Sequence, residues 1–321
     1  MRESYSCACG VFAFLALAVS LSAQQAPINP KAVALLRWYP ANLTTSFAVG
    51  QPSLNYPARA IAFDGANIWV TNINENTVTK LRASDGTRLG VFPAGPSPLG
   101  LVFDGASLWV THGSADYVTK LRASDGVALG TYSIRMPGTM IFDGTNIWVT
   151  SRYCNPCAVN KLRASDGALL GTFPVPYPGP MAFDGANIWV TDLWGGLTKL
   201  RASDGVSLGT FSAGPEPVEI TFDGINLWVA NAQPGAVTKL RPSDGTILET
   251  FQLGPYGPNG IAFDGVNIWV TFNLEDSSQL IKLRASDGAN LGTFARGPYP
   301  GGVFFDGANI WVVTLNRIHK M

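Results

Sequence analysis

The sequence predicts an all-β protein, a seven-bladed β-propeller of four-stranded antiparallel blades closed by its N-terminal strand, on three observations. A Phe-Asp-Gly tripeptide recurs seven times, at Phe63, Phe103, Phe142, Phe183, Phe222, Phe263 and Phe305, spaced 39 to 42 residues apart. Six Ser-Asp-Gly turns fall between these copies, and one Trp follows each Phe at a constant distance. A period near 40 residues holding several strand-like runs marks a propeller blade or a solenoid turn.

Taken in order, the first copy predicts a short apolar strand from Ala60 to Phe63, closed by Asp64-Gly65. Asp-Gly suits a tight hairpin because Gly takes positive φ without a Cβ clash. The second strand, Asn67 to Thr71, alternates Ile68 and Val70 on one face with Trp69 on the other. A third strand runs from Val78 to Ala83, the turn Ser84-Asp85-Gly86 follows, and Leu89 to Phe92 is the fourth. The Gly-Pro-rich stretch from Gly95 to Gly100 then leads into the next copy, with Pro98 marking the boundary. Trp69, Trp109, Trp148, Trp189, Trp228, Trp269 and Trp311 are expected to pack between neighbouring sheets. Burying about 150–250 Å² each at about 25 cal/mol/Å² sets an upper bound of roughly 4–6 kcal/mol per indole.

The two ends predict how the ring closes. Ile318-His319-Lys320-Met321 matches a third strand, which leaves the last blade one strand short, and Thr45 to Gly50 matches the missing fourth. A competing register aligns Val33 to Gly50 with Val78 to Gly95, so that the N-terminus supplies two strands. The three-plus-one arrangement is preferred because it leaves no open edge between the last and first blades without stranding the C-terminal tail.

Composition bounds the rest. The 321 residues are 46% hydrophobic and 14% charged, enough to bury a large core. Lys and Arg number 22 against 22 Asp and Glu, and 12 of those bases and 13 of those acids belong to the repeated Lys-Leu-Arg and Asp-Gly positions. No net field and no basic stripe favours nucleic acid. Residues 1–23 read as a signal peptide, with Arg2 before the apolar run Val11 to Leu21 and Ser22-Ala23 as a cleavage site. Residues 24–42 are a lead-in, 43–321 the propeller, and the expected product is periplasmic or secreted, with no membrane span after signal removal. Cys7 and Cys9 would leave with the leader, and Cys154 and Cys157 are expected to form a small disulfide in an oxidising compartment. Haem attachment would need His where Ala158 stands, and no cofactor or metal motif is present.

Trp69-Val70-Thr71-Asn72, with the Pro258 to Gly265 run Pro-Asn-Gly-Ile-Ala-Phe-Asp-Gly, resembles the YVTN and NHL-type bacterial propeller repeats over roughly residues 45 to 321. The resemblance implies the fold and leaves activity open, since such propellers include binding proteins, lactonases and lyases. An alternative is the virginiamycin B lyase-like type, which implies a metal-assisted lyase or lactonase with paired histidines. Only His112 and His319 are present here, so no catalytic residue is carried over from it.

The copies also differ from one another in a telling way. The Phe-Asp-Gly and Ser-Asp-Gly turns hardly vary, whereas the loops between strands two and three and between blades vary in length and chemistry. Alternating strand direction puts both constant turns on one face of the disc and both variable loops on the other. That face is predicted to bind a protein, glycan or small-molecule ligand, acting as a monomer. Its candidates are Arg59, His112, Arg152, Tyr177, Asp192, Trp194, Glu219, Tyr256, Phe272 and Tyr299, with Glu216 among other loop-borne charges. Glu219 is the lone charge in a ring position otherwise occupied by Ala60, Gly100, Thr139, Pro180, Gly260 and Gly302. His112, Asp192 and Glu219 form the alternative catalytic set, for acid–base or metal chemistry at the axis.

Overall fold

The computed structural model describes residues 46–50, 60–152, 156–192, 194–272, 279–295, 300–314 and 317–321. They form 28 strands in seven four-stranded antiparallel sheets, with no helix among the described residues. One compact unit, Thr45–Met321, holds all seven. Within six sheets the strands lie side by side in chain order. In blade one they are Ile61–Phe63, Asn67–Asn72, Thr77–Arg82 and Arg88–Pro93, each within two residues of the bounds the sequence predicts. Contacts from blade to blade run chiefly through the first strands, which therefore line the axis.

The turns form where the carboxylate can satisfy the backbone. Asp64 Oδ1 accepts from the Ala66 and Asn67 amides at 3.0 and 2.7 Å, and Gly65 sits at φ 95°. The same Asp reaches inward, its Oδ2 accepting from Trp69 Nε1 at 2.8 Å, and this bond recurs in all seven blades. A buried indole N–H thus finds its acceptor within its own hairpin.

Packing between blades repeats three contacts. Each Trp lies in an apolar cluster drawn largely from the next sheet: Trp69 meets Leu101, Leu108, Val110 and Leu121 of blade two. The third-strand Lys lies over the ring of that Trp, 4.8 Å from its centroid for Lys80, and donates to the Ala123 carbonyl of blade two at 2.7 Å. The fourth-strand aromatic covers the Ser-Asp-Gly turn of the next blade, where a Cβ on Gly86, Gly126, Gly167, Gly205, Gly245 or Gly288 would lie 1.9–2.4 Å from that ring. These glycines also hold φ between 70 and 78°, so close approach and backbone conformation both require them. The paired Arg82 and Asp85 beside the turn lie 3.0 Å apart and half exposed, so their attraction adds little.

The ring closes three-plus-one. Ser46–Ala48 pairs antiparallel with Arg317–Lys320, setting Phe47 opposite Ile318. Phe47 takes the place of the fourth-strand aromatic, meeting Trp311 at 6.1 Å between ring centroids and covering Gly86 of blade one. Lys320 completes the circuit by donating to the Ala83 and Ser84 carbonyls, both at 2.7 Å.

Lys120→Met should cost about 2–4 kcal/mol in urea unfolding, because it leaves the Ala164 carbonyl without its donor and takes the cation from beside the buried Asp104, whereas Arg122→Ala on the exposed pair should cost under about 0.5 kcal/mol. Equal costs would remove the lysine bridge from its role. Phe47→Ala should cost about 3–5 kcal/mol and speed amide exchange first at Arg317–Lys320. Uniform acceleration over all blades would argue that closure is not the weak seam.

Candidate functional site

Each inner strand from blade two to blade six opens on a proline, and the residue before it sets the rim of the axial mouth. Ser97, Met136, Tyr177 and Glu216 occupy this position with φ of 49, 46, 44 and 49°, a left-handed conformation that side-chain-bearing residues rarely adopt. Such strain costs about 1–3 kcal/mol per residue and persists only where neighbours hold it. Here the Ser97 and Met136 amides donate to Asn76 Oδ1 and Asp116 Oδ1, each at 2.8 Å. The carbonyls of Ser97, Met136 and Glu216 accept from the amides of Gly113, Arg152 and Ala232 at 2.8–2.9 Å. Ser97 and Met136 are thus pinned at both amide and carbonyl, and Met136, Tyr177 and Glu216 are exposed.

Deeper in the channel, the structure brings two of the predicted residues into each other's field. Glu219, on the first strand of blade five, is partly open to water yet surrounded by protein. Burial pushes its carboxyl up to about 7, while a bond from the Ile220 amide at 3.2 Å and the charge of Arg152 pull the other way without prevailing. Arg152 leaves the second strand of blade three and folds over Gly138, where a Cβ would stand 2.4 Å from its Nε. Glycine at that inner-strand position is what leaves room for the guanidinium.

His112, Asp192 and Glu219 are not gathered into a metal-holding group. No group of three or more His, Cys, Asp or Glu able to hold a metal occurs among the described residues. His112 points into blade two: it is buried, and its Nε2 lies 2.8 Å from Thr119 Oγ1. Burial lowers its pKa to about 4, against the pull of the Pro96 carbonyl, so it is neutral over most of the pH range. Asn72 and Asn231 stand at the same position of blades one and five and likewise bond the third-strand threonines Thr79 and Thr238. The position is a polar pin within the sheet. Phe272, its counterpart in blade six, is also interior, 3% exposed in a cluster with Trp228, Val237 and Ile281, and presents no surface to a ligand.

Asp192 behaves differently. Its Oδ1 accepts from the Trp194 amide at 2.7 Å, setting the turn that lifts Trp194 to 78% exposure. Tyr177, 53% exposed, meets Trp194 edge to face with ring centroids 6.0 Å apart and planes at 85°. Tyr256 is exposed on the same face, in the loop entering blade six. Arg59, Tyr299 and the Cys154 end of the expected disulfide lie outside the described residues. Two features escaped the sequence reading. The left-handed residue before the proline in blades two to five was readable as a repeated position of varied chemistry. On the constant-turn face Ile225 and Val266 are 76% and 66% exposed where the other copies carry Ala or Thr, and Ile225 lines a cavity of about 390 Å³ with Phe222, Pro242 and Lys199.

No family model and no curated protein matches the chain. Among solved structures, hydrazine synthase of Kuenenia stuttgartiensis is similar, with a TM-score of 0.70 and 14% identity over 84% of this chain and 97% of that one. At that identity the likeness shows the β-propeller fold and no more. Many solved chains match, and one fold can host unrelated functions, so function is left to the site.

The two perturbed groups act on stability with opposite signs. His112 is depressed in the folded state, so the unfolded chain takes up its proton first and stability falls as pH drops from 6.5 towards 4, by at most about 3 kcal/mol. His112→Asn, which copies blades one and five, should flatten that loss. Glu219 is raised, so its contribution is full below 4.5 and fades as pH climbs through 7. Glu219→Gln should remove that alkaline decline. Unfolding midpoints measured from pH 4 to 8 check both, and curves parallel to the parent would refute the assignments.

Proposed function

We propose that this chain is an exported binding module of the YVTN and NHL-type repeat kind, taking its ligand at the variable-loop face around the axial mouth. The observation that carries the reading is the pair Trp194 and Tyr177. Among the described residues, the other seven tryptophans are at most 6% exposed, whereas Trp194 stands in solvent, held there by the Asp192 turn and backed by Tyr177. Large aromatic surface placed on loops of a rigid frame suits recognition. The Arg152 and Glu219 groups below it supply the few polar contacts that orient a ligand in such a site. Export rests on the leader read at residues 1–23, and a soluble periplasmic or secreted protein is the corresponding expectation.

A second reading has one observation in its favour. A carboxyl poised near 7 beside a guanidinium is suited to proton transfer at neutral pH, so Glu219 is the residue on which a lyase or lactonase activity would turn. His112 is engaged inside its blade and supplies no partner to it.

The purified chain is expected to retain ligands on a glycan array or in a pull-down, and the triple substitution of Tyr177, Trp194 and Tyr256 to Ala should abolish that retention without moving the unfolding midpoint. Retention that survives the triple variant would place the binding surface elsewhere.

A further inference from the structure

We propose that the corner between Trp194 and Tyr177 seats an organic ammonium cation, a quaternary or methylated amine, with Asp192 and Glu216 as its counter-charges. This rests on the reading of the variable-loop face as the binding surface and names the ligand chemistry for one sector of it.

Geometry comes first. The two rings stand at 85°, so the face of one and the face of the other form adjacent walls of a corner open to solvent. Aromatic faces carry negative charge in their quadrupole, and a cation against two of them is attracted by both. The corner is held rigid. Pro178, next to Tyr177, pairs in register with Asp192, whose carboxylate in turn binds the Trp194 amide. The Gly195 carbonyl then accepts from the Ala213 amide at 3.0 Å, and Gly195 abuts Gly214, where a Cβ would meet the carbonyl oxygen at 2.9 Å. This fastens the Trp194 turn to the loop that carries Glu216, which is exposed at its left-handed position.

Charge decides which guest fits. No Lys or Arg occurs from residue 164 to 198, from 202 to 238 or from 242 to 281, so the variable loops of blades four and five carry no base of their own, while Asp192 ends the strand before one of them and Glu216 lies in another. The basic residues Arg135 and Arg152 belong to the loops of blades two and three. The charge of Arg152 falls on Glu219, and the loops that carry Tyr177, Trp194 and Glu216 hold aromatic and acidic groups of their own, which complement a cation. A compact, weakly hydrated quaternary ammonium loses least on leaving water and gains most from the ring faces.

The probe is choline, with tetramethylammonium as a second cation and dimethylbutanol as the neutral carbon isostere of choline, titrated into the full chain at constant ionic strength. Trp194 is the exposed indole of the described fold, so intrinsic fluorescence reports its occupancy, and Trp194→Ala assigns the signal. Both cations should bind saturably, at least about tenfold tighter than the isostere. Trp194→Ala should abolish the response with an unchanged unfolding midpoint, since the side chain is largely in water. Asp192→Asn and Glu216→Gln should each weaken choline about threefold, and added salt should weaken the parent more than the double variant. Equal affinity for choline and the isostere, no saturation by either cation, or a response that persists in Trp194→Ala would overturn the assignment. Should choline fail while array or pull-down ligands still depend on Tyr177, Trp194 and Tyr256, the cation assignment alone falls.

Discussion

Among the described residues, in six blades one lysine runs from the third strand over the blade's own tryptophan into the turn of the following blade, and the closed ring rests on that bridge. An ammonium group buried without partners would lose its proton or unfold its surroundings. Here it has a π-face, turn carbonyls and, in the first two blades, an Asp carboxylate within 3.6–3.9 Å. Burial by itself would raise the carboxyl of the same Asp, but the bonds from indole, amide and Asn outweigh it and hold Asp64, Asp143, Asp184, Asp264 and Asp306 below their ordinary value. Each blade is thus chemically incomplete until its neighbour supplies carbonyls, which couples neighbouring sheets into one ring.

That coupling is made in the body of the blades and at the constant turns, and so leaves the opposite loops unconstrained. They can carry left-handed residues at about 1–3 kcal/mol each because the frame beneath them is over-determined. The division between faces is incomplete, however. Ile225 and Val266 show that the constant-turn face also varies, through residues next to the Asp-Gly pair rather than through loop length.

The misplacement of His112 and Phe272 has a common cause. Both follow Trp-Val-Thr at the end of a second strand, where a linear pattern cannot distinguish the last residue of the strand from the first residue of the loop. The strand in fact continues through them, so their side chains turn inward, one to Thr119 and one to the neighbouring blade. Two residues further along in blade four, Trp194 has left the strand and is outward. Continuing the strand buries the side chain, whereas leaving it for a turn, as after Asp192, turns the next large side chain out to solvent.

What the sequence determined by itself is everything that repeats. Blade number, strand order, turn positions, the tryptophan ring and the closing role of Thr45 to Gly50 are all written seven times or by omission, and local alternation with obligatory glycine turns suffices to read them. What only the tertiary structure decided is which unlike residues meet. Arg152 and Glu219 are 67 positions apart on blades three and five, and their encounter depends on the axis that appears only once the ring has closed. The corner of Tyr177 and Trp194 likewise depends on two separate loops, residues 175–177 and 193–195, meeting at one end of blade four. Period and pattern encode contacts within a unit, whereas the chemistry of the mouth arises between units, at distances that no local rule of the chain specifies.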